Sequence, residues 1–144
     1  MKRIAVLLIS IMFLASCSSS AGSQSNNEAN RTPIDPATAI NKDAPLSTPL
    51  SSIVYQFELV KAGDYDKIQE CFTDKAKAKL TREDFDKAKT TAAAISFDQI
   101  FSKIQEEQNT NGKFAHVKMK DHRTLVILEE HDGKWLSSQV WFKE

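Results

Sequence analysis

Arg123-Thr124-Leu125-Val126-Ile127-Leu128-Glu129-Glu130-His131-Asp132-Gly133-Lys134-Trp135 is the stretch from which the fold follows. Its apolar run, Leu125 to Leu128, predicts a strand over Arg123 to Glu129 that is covered on both faces. Asp132-Gly133 supplies the residue types of a tight hairpin turn, so the chain returns as a last strand from Trp135 to Phe142. Before this pair, Phe114-Ala115-His116-Val117-Lys118-Met119 alternates as a strand should. Asn111-Gly112 in front of it is a second hairpin signal, and a hairpin needs a strand on both sides. At least Ile104 to Asn109 is therefore read as strand, entered through a bulge. Phe97, Ile100, Phe101 and Ile104 nevertheless fit a helical period, so the stretch from Phe97 to Gln108 carries two opposed signals.

Further upstream the spacing of apolar residues changes from two to three and four. Thr48-Pro49 pairs a capping hydroxyl with proline at the first helical position. Leu50, Ile53, Val54, Phe57 and Val60 then form one core stripe on a helix that runs to Ala62, with mixed charge elsewhere. Gly63 supplies a left-handed cap, and Asp64 caps a shorter helix with Tyr65, Ile68 and Phe72 inward. Thr73 or Asp74 restarts the chain ahead of Lys75, Lys77 and Lys79, a solvated face. Thr81-x-x-Asp84 has capping-box spacing, and Phe85, Ala88 and Ala92 space a third helix that ends between residues 90 and 95. Helices grouped before an antiparallel meander predict an α+β domain with the helices packed on one face of the sheet.

The chain opens with Lys2 and Arg3 followed by an apolar run from Ile4 to Leu14. A spanning helix needs about 20 apolar residues, so this run reads as a signal peptide. It ends in Leu14-Ala15-Ser16-Cys17, which resembles the lipobox of bacterial lipoproteins. The resemblance implies cleavage between Ser16 and Cys17, lipid on the Cys17 sulfur, and attachment to a membrane of the bacterial cell envelope through that lipid. Ser18, where retained lipoproteins carry Asp, implies the outer membrane facing the periplasm. Each buried methylene contributes about 0.8 kcal/mol, so two or three acyl chains hold firmly. Residues 18–48, SSSAGSQSNNEANRTPIDPATAINKDAPLST, have no aromatic residue and no apolar period, and read as a disordered tether. Its end-to-end distance would be about 30 Å. The expected organisation is a signal peptide over 1–16, the lipidated cysteine and tether over 17–48, and one domain over 49–144.

Hydrophobic content of 41% and charged content of 26% are those of a globular protein. Lys and Arg total 19, as do Asp and Glu, and the absence of a basic surplus argues against nucleic acid as a partner. With Cys17 acylated, Cys71 has no partner in the chain. A small residue buried beside Phe72 is the favoured reading over a crosslink or a reactive thiol.

Two motifs, Lys61-Ala62-Gly63-Asp64-Tyr65 and Glu130-His131-Asp132-Gly133-Lys134-Trp135, in a chain whose helices precede its strands, resemble the nuclear transport factor 2-like, or cystatin-like, cone. The likeness covers Pro49 to Glu144 and is greatest to small bacterial lipoproteins of unknown function. It implies a curved sheet wrapped around the first helix with a concave pocket. Some members of that fold are isomerases or dehydratases, while others bind small molecules or form homodimers through the sheet. An enzyme of this kind needs a general base and a donor aimed at the developing oxyanion. Asp98 is the carboxylate nearest an apolar cluster, and Tyr55 and Tyr65 are the only phenols. Trp135 and Trp141 share parity on the expected last strand and could stack on a ligand. The candidate pocket is thus Tyr55, Phe57, Asp98, Trp135 and Trp141, although no spacing forces these residues together.

His116, His122 and His131 invite a metal reading. His116, however, alternates with Ala115 and Val117 and points outward, and the other two fall in or next to opposite turns. No metal, no cofactor and no catalytic residue is expected, and with four glycines there is neither a Gly-x-Ser-x-Gly nor a phosphate-cradling loop. The sequence therefore predicts a lipid-anchored, non-enzymatic module for a small ligand or another protein. A lyase or isomerase using the cone pocket and an accessory subunit of an envelope machine are the alternatives.

Overall fold

The computed structural model describes residues 34–143. The expected signal peptide, Ser16, Cys17 and the tether as far as residue 33 lie outside the described residues. Among those described, no helix is long and apolar enough to cross a membrane. A single turn, α1 (Pro36–Ala39), is followed by the long helix α2 (Pro49–Ala62) and by α3 (Tyr65–Gln69), α4 (Asp74–Lys77), α5 (Arg82–Ala93) and α6 (Phe97–Ile100). The strands β1 (Phe101–Asn109), β2 (Gly112–Met119), β3 (Thr124–His131) and β4 (Lys134–Ser137) come last and pair in chain order as an open antiparallel sheet. The α+β class holds, with helices on one face. Register irregularities in the β1–β2 and β2–β3 pairings curve the sheet.

α2 begins and ends where its caps place it. Thr48 Oγ1 accepts from the Ser51 N–H at 3.2 Å, and Gly63, at φ 78°, donates its N–H to Leu59 O at 2.9 Å. Its surroundings differ from the expected single stripe. Ser51, Ser52, Ile53, Val54, Gln56, Phe57, Leu59 and Val60 are all buried, because α2 lies against α1, α3, α5 and β4. With Glu58 and Lys61 as its only charged residues, the helix has too little polar surface for an exposed position.

Both signals in the 97–108 stretch turn out to be real, in succession. α6 is one helical turn, with Gln99 Oε1 accepting from the Ser96 N–H at 2.8 Å. The chain then straightens into β1, with a bulge between Phe101 and Lys103. The β1–β2 loop is Thr110-Asn111, and Gly112 opens β2. At the β3–β4 turn, Asp132 and Gly133 have φ 51° and 77°, the positive pair that this turn requires.

Three expectations are corrected. β3 is covered on one face only: Val126 and Leu128 are fully buried, while Leu125 and Ile127 alternate with them and are half-buried. The last strand stops at Ser137 rather than Phe142: after Ser138, whose N–H and hydroxyl both donate to Ile127 O at 3.0 and 2.8 Å, the chain leaves the sheet, with Val140 buried in the core and Trp141 Nε1 donating to Gln56 Oε1 at 3.1 Å. Trp141 therefore does not share a strand with Trp135. The folded unit also starts before Pro49. Ile34, Ala39, Ile40 and Leu46, isolated in a polar segment whose average composition conceals them, pack on the core. The Ser51 hydroxyl fastens this strap by donating to Pro45 O and accepting from the Asn41 N–H, each at 2.8 Å.

The two sheet edges differ. Beyond β4, Ser137 N–H donates to Cys71 O at 2.8 Å, Thr73 N–H donates to Ser137 O at 3.0 Å, and Trp135 N–H donates to Leu46 O at 2.8 Å. Beyond β1 no further strand pairs among the described residues.

Candidate functional site

The space between α2 and the end of the sheet, where the sequence places its candidate pocket, is occupied by side chains of α2. Ser52 and Gln56 stand one helical turn apart and are fully buried. Gln56 Oε1 accepts from Ser137 Oγ at 2.7 Å and from Trp141 Nε1 at 3.1 Å. Gln56 Nε2 donates to Ser52 Oγ at 3.1 Å, and Ser52 Oγ donates to Trp135 O at 2.7 Å. The Trp141 ring stacks on Phe57 with centroids 6.3 Å apart, and Phe57 meets Phe97 edge-on at 5.6 Å. Among the described residues, no buried side-chain polar atom lacks a hydrogen-bond partner. This network ties α2 to the end of the sheet and leaves no donor or acceptor aimed at an empty space.

Of the five candidate pocket residues, Phe57, Trp135 and Trp141 meet around this network as core, while Tyr55 and Asp98 lie elsewhere. Asp98 is the second residue of α6 and accepts the Ile34 N–H on Oδ1 at 3.3 Å, an anchor for the strap. Tyr55 lies on the opposite side of α2, in a groove of about 770 Å³ lined by Ile40, Lys42, Glu58, Leu59 and Lys67 among others. Burial, and next the neighbouring Cys71, push the Tyr55 hydroxyl above its ordinary pKa, so it stays protonated and can donate. Lys67 is engaged with Asp64 at 2.9 Å, a contact that raises the amine's pKa and lowers the carboxyl's. The groove is mixed in charge and holds no base beside a nucleophile.

Sequence reasoning missed Ser52, Gln56 and Ser137. The signal was present: two polar residues four apart fall among the apolar positions of α2, where a polar side chain is kept only if it is hydrogen-bonded.

The outer face of the sheet has a different character. Phe114, Ile127 and Leu136 point away from the helices and are half-buried, and Glu129 lies between Phe114 and Leu136 in the register. None of the three packs against the core cluster. His116 shares this face, with Nε2 3.5 Å from Glu107. His122 occupies the β2–β3 turn at φ 68°, and His131 stands 3.3 Å from Glu129. No group of three His, Cys, Asp or Glu side chains able to hold a metal ion forms among the described residues. Cys71 is fully buried, and its thiol donates to Lys67 O at 3.7 Å.

No protein-family model matches this chain, and neither a curated protein nor a solved structure is significantly similar to it.

Proposed function

We propose that this chain is a lipid-anchored protein of the bacterial cell envelope whose domain, a variant of the nuclear transport factor 2-like cone, is a non-enzymatic docking module. The observation that carries the reading is the outer sheet face. Phe114, Ile127 and Leu136 surround Glu129, which is paired with Phe114 on one side and Leu136 on the other, and Glu107 stands beyond Phe114; half-buried apolar side chains grouped around a carboxylate and left uncovered by the core form a surface for protein docking. The partner that fits it has apolar side chains around a basic residue that meets Glu129. Burying the anchor of such a patch removes it from water at about 25 cal/mol per Å².

The lipobox resemblance supports a membrane tether on Cys17, and Ser18 supports the outer membrane facing the periplasm. A filled, fully hydrogen-bonded cone interior supports binding over lyase or isomerase chemistry, which needs an open pocket with a base inside it. Two measurements test the reading. Labelled fatty acid should enter the full chain and not the Cys17→Ala variant; equal labelling of both would overturn the anchor. A photo-crosslinking side chain at Ile127, in cells, should give one adduct of defined mass that Leu136→Glu abolishes. An adduct pattern no different from that of a probe at exposed Thr90 on α5 would overturn the docking face.

A further inference from the structure

We infer that two copies of this chain pair antiparallel along β1, about a two-fold axis beside Gln105, and so double the sheet. Among the described residues β1 is the open edge, and from Gln105 to Asn109 it is exposed, with no described helix in the way of another strand. An open edge is a template for strand addition.

The direction of its backbone groups follows from the hairpin. Asn109 and Gly112 close a two-residue loop, which makes them a pair that exchanges both backbone hydrogen bonds. By alternation the same holds for Glu107 with Phe114 and for Gln105 with His116. The N–H and C=O of Ile104, Glu106 and Gln108 therefore point outward, away from β2.

The side chains select the occupant and the register. A second copy that continues the sheet with its helices on the same side must place residues of like parity opposite each other, because opposed side chains share a face. With Gln105 facing itself, Ile104 of each copy exchanges both backbone bonds with Glu106 of the other. Lys103 then stands opposite Glu107 twice, in non-hydrogen-bonded pairs, where side chains approach most closely. A slip of one step either way loses this match. In one direction Lys103 faces Gln105; in the other, Glu106 faces itself. Among the described residues Lys103 makes no ion pair within the chain, and Glu107 has no Lys or Arg partner: it accepts from Asn109 Nδ2 at 3.3 Å and stands 3.5 Å from the half-buried His116. The strand is thus complementary to itself in one register.

The test uses the full-length chain extracted in detergent. Gln105→Cys should form an intermolecular disulfide under mild oxidation, since directly opposed residues have Cβ atoms close to disulfide range. Gln108→Cys, whose mate across the axis is Ser102, should not. Sedimentation should show a dimer that Lys103→Glu or Glu107→Lys each weakens by about tenfold, while the charge-swapped double variant regains the parent affinity. A single-copy species at tens of micromolar would overturn the inference. So would equal crosslinking at 105 and 108, or a double variant no tighter than the singles.

Discussion

Replacing Gln56 with Leu tests whether the α2 network fixes the helix against the sheet. Leu keeps most of the volume, so the change isolates hydrogen bonding. Two donors lose their acceptor, Ser137 Oγ at 2.7 Å and Trp141 Nε1 at 3.1 Å. Ser137 is fully buried, and an orphaned buried group costs about 1–3 kcal/mol. Trp141 is partly exposed, so water can take its N–H at little cost, and Ser52 keeps its bond to Trp135 O. The expected loss is therefore about 1–3 kcal/mol, nearly all of it from Ser137. With a urea slope of about 1–3 kcal/mol per molar, the midpoint should fall by about 1 M. The only two tryptophans, Trp135 and Trp141, both border the network, so their fluorescence reports the transition directly. Adding Ser137→Ala removes the orphan and should return most of the lost stability, because replacing both partners by apolar groups can be nearly neutral. A Gln56→Leu midpoint equal to the parent's, or a double variant weaker than the single, would refute this account.

Ser51→Ala removes the donor to Pro45 O and the acceptor for the Asn41 N–H; limited proteolysis should then cut near residue 41 several times faster. Gly63→Ala should lower the melting temperature by several degrees, reflecting about 1 kcal/mol for a side chain at positive φ; a new Cβ would also sit 2.5 Å from Lys89 Nζ, which is flexible enough to move. Burial pushes the Cys71 thiol up from 9.0 to about 12, so a thiol reagent at pH 8 should modify Cys71 only after denaturant is added. The same shift sets a direction for stability. The protonated thiol is favoured in the fold, so its contribution is intact below pH 9 and is lost as pH rises toward 12; alkaline unfolding that is unchanged in Cys71→Ala would contradict it.

Local chemistry made much of the fold legible. Thr48-Pro49, Gly63, Thr81 and Asp132-Gly133 each mark a boundary through their own backbone requirements, and each stands where those requirements place it. What stayed hidden depends on long-range partners. Past the end of β4 the chain is held by Val140 in the core and by Trp141 on Gln56, and the strap is held by Ser51 on a helix several residues away. Neither leaves a periodic trace. Leu125 to Leu128 read as covered on both sides because an apolar run does not say which of its faces the chain will cover. Asp98 falls outside the group that Phe57, Trp135 and Trp141 form for a similar reason: no local spacing says that its carboxylate will accept the Ile34 N–H from the strap.

The segment from Cys71 to Thr73, together with Leu46, lies along one flank of the sheet and satisfies backbone groups there. Growth by strand addition is consequently possible from a single side, and two molecules that meet there consume each other's capacity to recruit a third. Assembly stops at a finite particle instead of running on into a fibre. Loosening the residues around Leu46 would remove that stop, and the first sign of it should be filaments.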